Sequence, residues 1–401
     1  MKIIIISSQL PMPDRASGDL RFFTILKVLA KNNDITIATY SSEHQKVTLG
    51  DEAYKTYINQ LENLSITVST NCIDIIRESQ FDVVWFEFYD STDGLIDLVR
   101  FHHPNAYIII DSVDVHFNRL EAKAKLTQLK EDFILAENIK KEELQAYKNA
   151  DMVIAVTEAD KKLISETCPE IKISVIPNIH NIPDFIVKVP GKKINLLFVG
   201  YFKHSPNVDA VCFFCTEVMP LLRNKYPDIH LNIVGSSPSQ EVLDLAKNDI
   251  TIFGYVPDLV PYYRNADIVI APLRYGGGMK GKVGEALSFS TPIVTTDFGA
   301  EGFGIKPDIH YLLANKPDEF VNEILKLIND NEAYKRISEN GWQFIKDNYS
   351  YNAIETVINN TINNLYTLKT KKLSFSKWVY LSIKRFINRN ILWRLSISSN
   401  A

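Results

Sequence analysis

Short apolar runs alternate with longer segments of mixed polarity along the first half of the chain. Each run is apolar over most of its length, which predicts a strand buried on both faces; the runs lie at residues 2–7, 34–40, 82–86, 107–110, 152–156 and 173–176. Helical spacing of apolar residues falls between them, at 19–33 and, for the longest predicted helix, at 119–149. Such alternation predicts an α/β fold in which helices cover both faces of a parallel sheet.

The second half of the chain repeats this pattern. Strands are predicted at 194–199, 230–234, 250–253, 268–271 and 292–296, and helices at 208–225, 317–329, 332–347 and 351–365. Between the halves, Pro183, Pro190 and Gly191 interrupt the periodicity and predict a linker. We therefore expect Rossmann-like domains at 1–182 and 194–348, a linker at 183–193, a further helix at 349–366 and a tail at 367–401.

The composition is typical of a globular enzyme, with 46% hydrophobic and 23% charged residues among 401. No apolar run reaches the length of a membrane-spanning helix, and the apolar run at 2–7 lacks the features of a secretory signal. We therefore expect a cytoplasmic protein. Cys212 and Cys215 form a C-x2-C pair, but a metal site would need two more ligands at similar spacing, so we expect structural thiols there.

The clearest chemical signal lies at residues 268–302, which the pattern predicts as strand, glycine loop, helix and strand. Lys280 and Lys282 follow the loop at the predicted helix start, where backbone N–H groups and the helix dipole favour an anion. Glu285 lies about one turn further on, where a carboxylate can hold ribose hydroxyls. A glycine turn with two solvated lysines is the alternative. The loop removes three side chains in a row, at Gly276, Gly277 and Gly278.

This segment resembles the nucleotide-sugar site of family 4 glycosyltransferases, which have the two-domain GT-B fold. The likeness is to the subgroup with the loop Gly-Gly-Gly-x-[Arg/Lys]-x-Lys-x-x-Glu-Ala, in which Met279 takes the first variable position. In that family the basic residues hold the donor diphosphate and the glutamate binds the ribose, which implies these roles for Lys280, Lys282 and Glu285. Many members have another Glu eight residues earlier that contacts the sugar; here that position is Gly277, so the donor sugar stays open.

Two further places follow from the rule that ligands bind outside the carboxyl ends of parallel strands. The first is the loop after strand 2–7, with Ser17, Gly18 and Asp19 at a predicted helix start; an ordinary N-cap by Ser17 or Asp19 is the alternative. The second is His116, in Asp-Ser-Val-Asp-Val-His after strand 107–110; a structural histidine is the alternative. The resemblance implies that the glycine loop lies against donor phosphates or acceptor, and that His116 contacts the donor sugar.

The resemblance also implies two outlying donor contacts. The nucleobase would lie beside the turn at 254–257, with Val256 as a backbone contact. A basic residue near Lys203 would reach the diphosphate, although a solvated turn is the alternative there.

Together with these residues, the resemblance implies a retaining, hexosyltransferase-like enzyme with catalytic residues His116, Lys282 and Glu285. It would move a sugar from a nucleotide sugar to a glycan or lipid-linked acceptor, in cell-surface polysaccharide synthesis. Lysines and loop amides can neutralise the leaving diphosphate, and the sequence has no Asp-x-Asp triplet, so we expect no metal ion and no cofactor. The alternatives are a non-catalytic GT-B module that binds a glycan or partner enzyme, which Gly277 favours, and a GT-B epimerase or phosphorylase.

The C-terminal tail differs from the rest of the chain in charge. No Asp or Glu follows Glu355, and residues 369–394 hold eight Lys and Arg. On a helix, the apolar residues of this segment through Ile387 share one side, with Trp378 among them. Such a helix suits an anionic membrane surface, so we expect peripheral attachment to the inner face of the membrane; a helix packed on the first domain is the alternative. No nucleic-acid-reading motif accompanies the basic residues.

Overall fold

The computed structural model describes residues 1–186, 188–276 and 279–387, without the side chains of Ser17, Phe386 and Ile387. Its first sheet is parallel, with the strand order β3-β2-β1-β4-β5-β6-β7. The strands are β1 (Lys2–Ser7), β2 (Asp34–Thr39), β3 (Thr67–Ser69), β4 (Val83–Glu87), β5 (Tyr107–Asp111), β6 (Met152–Ala155) and β7 (Ile173–Val175).

The second sheet is also parallel, with the order β10-β9-β8-β11-β12-β13. Its strands are β8 (Ile194–Val199), β9 (Ile229–Val234), β10 (Ile250–Phe253), β11 (Ile268–Ala271), β12 (Ile293–Thr295) and β13 (Leu312–Leu313). We call each sheet with its covering helices the first and the second domain. The predicted division at residues 183–193 stays a prediction.

Helices lie between the strands of both domains. Those of the first domain are α1 (Ser17–Leu29), α2 (Ser42–Leu49), α3 (Asp51–Glu62), α4 (Cys72–Glu78), α5 (Leu95–His102), α6 (His116–Thr127), α7 (Lys130–Asn149) and α8 (Glu158–Thr167). The later helices are α9 (Ser205–Phe213), α10 (Met219–Lys225), α11 (Gln240–Leu243), α12 (Val260–Asn265), α13 (Gly281–Ser288), α14 (Asp297–Ala300), α15 (Pro317–Asn329), α16 (Asn331–Tyr349), α17 (Tyr351–Leu365) and α18 (Phe375–Ile387).

The apolar runs form central strands because both faces of each sheet are covered. In β1, Ile3 and Ile5 belong to the hydrophobic core on one face, and Ile4 and Ile6 belong to the core on the other. All four side chains are fully buried. A strand in this position has no solvent-facing side, so its sequence is continuously apolar rather than alternating. The predicted α/β fold class, with two Rossmann-like domains, is confirmed.

The long helix predicted at 119–149 is wrong in one respect, since it is two helices. Gln128 ends α6 with a φ of 58° and donates its backbone N–H to Ala124. The chain then turns and continues as α7. Neither glycine nor proline marks this break, and a glutamine in the left-handed region gives no sequence signal.

Helix α17 returns from the second domain to the first. Its buried residues Ile354, Ile358, Ile362 and Leu365 belong to the same core as Phe22 and Leu26 of α1. The helix follows α16 after a single residue, Ser350, whose side chain accepts a hydrogen bond from Ala353 N–H. Its packing therefore ties the end of the second domain to the first domain.

The tail helix α18 packs beside α5 of the first domain. The ring centroids of Trp378 and Phe101 lie 6.4 Å apart, and Lys377 forms a salt bridge of 2.7 Å with Asp97. Among the described residues, no helix is both long and apolar enough to cross a membrane. The predicted tail residues beyond Ile387 lie outside the described part of the chain.

Candidate active site

The predicted donor loop joins β11 to α13 at the carboxyl edge of the second sheet. β11 lies between β8 and β12, so its end opens at the centre of this edge. Gly276 has a φ of 146°, in the region that favours glycine, whereas Gly277 and Gly278 lie outside the described residues. Lys280 is the N-cap residue of α13, and its side chain does not cap the helix. The amino end of α13 is therefore a suitable place for an anion.

Lys282 is held at this end of α13 by neutral groups. Its Nζ donates a hydrogen bond of 2.6 Å to Asn207 Oδ1 and lies 5.0 Å from the ring centroid of Phe198. Burial lowers the pKa of Lys282 to about 8, while the charge of Glu285 raises it. Among the residues that the structure describes, the ammonium group forms no salt bridge. A poorly solvated ammonium group held by an amide and a ring remains free to bind an anion.

Lys280, in contrast, already has a carboxylate partner. Its Nζ lies 3.0 Å from Glu301 Oε2, and its side chain is only 6% exposed. The charges of Lys280 and Glu301 also reach Asp160 of the first domain, whose pKa is raised to about 6, mainly by burial. The donor loop therefore lies within electrostatic reach of the first domain, and the positive charge of Lys280 is partly compensated.

Glu285 lies one turn into α13 and is oriented by a tyrosine. Tyr263 O–H donates a hydrogen bond of 2.6 Å to Glu285 Oε2, and the Tyr263 ring stacks on Phe289 at 5.1 Å. Burial raises the pKa of Glu285, and the Tyr263 hydrogen bond and the charge of Lys282 lower it. Because residues three apart share one side of a helix, Lys282 and Glu285 can contact one ligand. Oε1 is the glutamate oxygen that Tyr263 leaves available.

The donor loop and α13 rest directly on the first domain. Asn178 donates its backbone N–H to Met279 Sδ at 3.4 Å and its side-chain amide to Met279 O at 3.3 Å. A methyl group added at Gly284 would lie 2.1 Å from His180 Nε2. Met279, predicted in the donor site, is therefore engaged in the contact between the domains, and Gly284 is required by the close approach of His180.

The two outlying donor predictions differ in their surroundings. Val256 is half-buried and packs against the core of the second domain, which turns its side chain inward and leaves its backbone at the turn. Lys203 is exposed and forms no hydrogen bond or salt bridge with another described residue. Its predicted contact with the diphosphate stays a prediction.

His116 is the first residue of α6, at the carboxyl end of β5. Its half-buried ring lies beside two aromatic rings, with its centroid 5.7 Å from that of Phe88 and 5.3 Å from that of Tyr89. Burial lowers the pKa of His116, against the opposing charge of Asp114. The imidazole is therefore neutral at pH 7 and can both donate and accept a hydrogen bond.

The loop after β1 differs from an ordinary helix cap. Helix α1 begins at Ser17 with Ala16 as its N-cap residue, and Asp19 lies in the first turn rather than at the cap position. The side chain of Ser17 is not described. A methyl group added at Gly18 would lie 3.7 Å from Val113 Cγ1, which is an ordinary contact. Packing therefore gives no reason for a glycine here.

Asp19 is a half-buried carboxyl group in the first turn of α1. Burial raises its pKa to about 7; a hydrogen bond from the backbone of Met12 opposes this shift, and the charge of Asp14 adds to it. Behind it, Arg21 and Asp111 form a fully buried bidentate pair at 2.9 and 3.0 Å. This pair fixes α1 to the end of β5, so Asp19 and His116 are mounted on neighbouring, rigidly joined elements.

A network of polar and aromatic side chains connects the two domains. Asp14 accepts hydrogen bonds from Tyr57 O–H at 2.8 Å and from Tyr255 O–H at 3.0 Å. The guanidinium of Arg15 lies 5.0 Å from the Tyr255 ring centroid. Tyr255 belongs to the predicted nucleobase turn of the second domain, and Asp14 to the loop after β1. The network therefore joins the predicted acceptor loop of the first domain to the predicted nucleobase turn of the second.

Sequence reasoning missed the residues that support the predicted ones. Asn207 holds Lys282, Tyr263 holds Glu285, and Glu301 pairs with Lys280. They come from elements distant in sequence, and periodicity identifies them only as ordinary helix or loop positions. Of the two predicted structural thiols, Cys215 is buried, and Cys212 is half-buried with its Sγ 3.5 Å from Glu241 Oε1; a structural role for the pair stays a prediction.

Comparisons with known proteins agree with this architecture. Residues 193–330 match the family model described as glycosyl transferases group 1. An uncharacterized 44.6 kDa protein in the cps region of Klebsiella pneumoniae is 24% identical over 387 residues, which cover 87% of this chain and 96% of that protein. An uncharacterized glycosyltransferase of Haemophilus influenzae is 28% identical over 48% of this chain and 56% of its own length. The chain thus spans about half of that relative.

Solved structures show the same fold across both domains. Sucrose-phosphate synthase from Thermosynechococcus elongatus superposes with a TM-score of 0.65 at 14% identity, covering 92% of this chain and 100% of that one. HepE from Anabaena, solved in complex with UDP, gives a TM-score of 0.63 at 14% identity, covering 91% and 100%. The chain as a whole therefore has the GT-B fold, and residues 193–330 within its second half are similar to group 1 glycosyl transferases.

Proposed function

We propose that this protein transfers a sugar from a nucleoside diphosphate sugar to a glycan or lipid-linked acceptor, with retention of configuration and without a divalent metal ion. In this reaction the bond between the anomeric carbon and the diphosphate breaks, and a bond to an acceptor oxygen forms. The leaving diphosphate gains negative charge, and the acceptor hydroxyl loses a proton. Retention follows the family that the donor loop resembles.

The observation that carries this proposal is the state of Lys282. A desolvated ammonium group is costly unless an anion compensates it, and within the described residues Lys282 is held only by Asn207 and the Phe198 ring. A donor diphosphate at the amino end of α13 would supply the missing charge. Lys282, the α13 amides and, in part, Lys280 would then stabilise the leaving group as the sugar departs.

Glu285 supports a nucleoside rather than a simple phosphate. Tyr263 occupies Oε2 at 2.6 Å, which leaves Oε1 to accept from ribose hydroxyls about one helical turn from the diphosphate. HepE has been solved with UDP and with UDP-glucose, and TarM with UDP. We therefore infer that a uridine diphosphate sugar is the first donor to test.

The first domain supplies the acceptor side in this proposal. Packing does not require a glycine at position 18, so Gly18 can serve to leave room for a substrate. His116 presents a neutral imidazole for the donor sugar. Asp19, with its pKa raised to about 7 by burial, can take the acceptor proton near neutral pH. The Klebsiella relative from a cps region supports an acceptor in cell-surface polysaccharide synthesis.

The tail helix supports the proposal that the enzyme acts at a membrane surface. Lys372 and Lys377 hold the tail to Asn105 and Asp97 of the first domain, so part of the basic charge is used internally. The large apolar side chains of α18 nevertheless point outward: Phe375, Trp378, Tyr380 and Ile383 are 80%, 50%, 63% and 53% exposed. Exposed aromatic residues beside Lys384 and Arg385 suit an anionic bilayer interface, which would bring the cleft to lipid-linked acceptors.

A donor panel tests the proposed function. Thermal unfolding is measured with UDP, GDP, ADP, CMP and dTDP sugars at one concentration, because a ligand of the folded state raises the midpoint by an amount that grows with the logarithm of its affinity. We expect one nucleotide class to raise the midpoint, and the same class to release nucleotide during transfer to an acceptor. Binding without transfer or hydrolysis would favour a non-catalytic module, and binding of none would refute the proposal.

A further inference from the structure

The amino end of α6, which carries His116, is capped by a carboxylate from another helix. Glu143 of α7 accepts backbone N–H hydrogen bonds from His116 at 3.1 Å and from Phe117 at 3.0 Å. Tyr147 O–H donates a third hydrogen bond of 2.6 Å to the same carboxyl group, and Ser112 Oγ lies 2.7 Å from the Tyr147 hydroxyl. Glu143 is fully buried, so this network lies inside the first domain.

This arrangement is unusual for a helix start. The N-cap residue of α6 is Val115, whose side chain has no oxygen to offer, although a serine or asparagine there would satisfy one amide at little cost. Instead, a buried carboxyl group performs the task from 27 positions further along the chain. Burial raises the pKa of Glu143 to about 7, and the hydrogen bonds from Tyr147, Phe117 and His116 lower it. Burial of this carboxylate therefore lowers the stability of the folded protein, whereas a capping side chain at position 115 would not.

The cap acts on His116, the residue that the proposed function places against the donor sugar. Because Glu143 bonds the backbone of His116 itself, it fixes the first turn of α6 and the direction in which the imidazole leaves it. The rings of Phe88 and Tyr89 both pack beside the imidazole. The carboxylate also occupies the amino end of α6, where an anion would otherwise bind. The amino end of α13 is then the one left for the donor diphosphate.

We infer that Glu143 is a positioning residue for His116, holding the imidazole against the transferred sugar and keeping the amino end of α6 closed to the donor phosphates. This inference rests on the proposed function, in which His116 contacts the donor sugar. Glu143 itself does not touch the substrate.

The test compares Glu143→Gln with wild type and with His116→Ala. Glutamine keeps the size and one acceptor oxygen but cannot accept both amide hydrogen bonds. We expect kcat to fall by about tenfold or more, since a small misplacement of a catalytic group is costly, while KM for the donor stays within about twofold of wild type. The Glu143→Ala variant should regain part of its kcat in acetate and none in acetamide.

Two controls separate positioning from general loss of a helix cap. Asp330 caps α16 by accepting from Ala333 N–H at 2.9 Å, outside the candidate site, so Asp330→Ala should lower the unfolding midpoint without changing kcat. Tyr147→Phe removes the hydroxyl donor and leaves the Glu143 carboxyl group in place, so it should lower kcat less than Glu143→Gln does. Equal kcat losses in Asp330→Ala and Glu143→Gln would overturn the inference.

The inference and the proposed function fail differently. If His116→Ala loses activity and Glu143→Gln does not, Glu143 has no positioning role and the function stands. If wild type transfers no sugar, the proposed function fails. The position of His116 is then tested by NMR titration of its imidazole, which we expect to shift between wild type and Glu143→Gln; an unchanged titration would overturn the inference on its own.

Discussion

Replacing Lys282 by methionine tests whether the ammonium group at the start of α13 contacts the donor diphosphate. Methionine is unbranched and of similar length, so it can keep the contact with Phe198 while the charge and the hydrogen bond to Asn207 are removed. We expect transfer to fall while the fold is retained. The same variant should therefore separate the contribution of Lys282 to activity from its contribution to stability.

The expected loss of activity follows from one charge-assisted hydrogen bond. Such a bond to a phosphate oxygen contributes about 1.5–3 kcal/mol. If it is made in the transition state, kcat/KM falls by roughly 10- to 150-fold.

The expected change in stability has the opposite sign. Burial lowers the pKa of Lys282 from 10.5 to about 8, which corresponds to a cost of about 3 kcal/mol for the charged form in the folded protein. Because the folded-state pKa is below the unfolded value, this cost is complete below pH 8 and disappears between about pH 8 and 10.5. Methionine avoids it, so at pH 7 we expect the unfolding midpoint to rise by about 2 °C or more.

The assay measures donor turnover and the unfolding midpoint on the same preparations. Lys346→Met is the matched control, because Lys346 Nζ also lies over an aromatic ring, 4.5 Å from the Trp342 centroid, outside the candidate site. Wild-type donor affinity should fall as the pH rises through about 8, when Lys282 loses its proton, and this step should be missing in Lys282→Met. Full activity in Lys282→Met, or an equal loss in Lys346→Met, would refute the reasoning.

Three further predictions concern the ribose, the metal ion and the tail. Glu285→Ala should weaken binding of nucleoside-containing donors but not of pyrophosphate, measured by calorimetry; equal losses would contradict a ribose contact. Transfer should continue in EDTA, because positive groups at α13 neutralise the leaving diphosphate; loss of activity that magnesium or manganese restores would contradict this. The full chain should sediment with anionic liposomes at low salt, and a chain ending at Thr367 should not. Replacing Phe375 and Trp378 by serine should abolish sedimentation with liposomes in the same way, although the lysine contacts of the tail are retained. Equal sedimentation of all forms would reject the tail as a membrane contact.

Much of the fold was predictable because burial on both faces leaves a continuous apolar run. β1, β8 and β11 begin and end at the predicted residues, as do helices α15 and α17. The short edge strands β3 and β13 were not predicted, since two or three residues carry no usable period. The break at Gln128 was missed because its left-handed conformation is imposed by the packing of α6 on α7 rather than by a local residue preference.

The candidate site was predictable only where it is local in sequence. The glycine loop, Lys282 and Glu285 lie within one short segment, so their spacing alone suggested an anion and a ribose contact. The residues that hold these side chains are distant in sequence: Asn207 lies 75 residues from Lys282, and Tyr263 lies 22 residues from Glu285. Likewise, the compensation of Lys280 by Glu301 across 21 residues depends on how two loops meet. Such contacts arise from tertiary packing, which residue spacing does not encode.

The contacts of Asn178 and His180 with the donor segment bear on how such enzymes can be recombined. Asn178 binds Met279, and His180 occupies the space that a side chain at Gly284 would need. A chimaera that joins this second domain to the first domain of a relative must therefore carry residues 178–180 along with α13. A crossover point placed after residue 180 would put a foreign side chain against Gly284, and acceptor exchange by domain grafting would then disturb the donor helix as well.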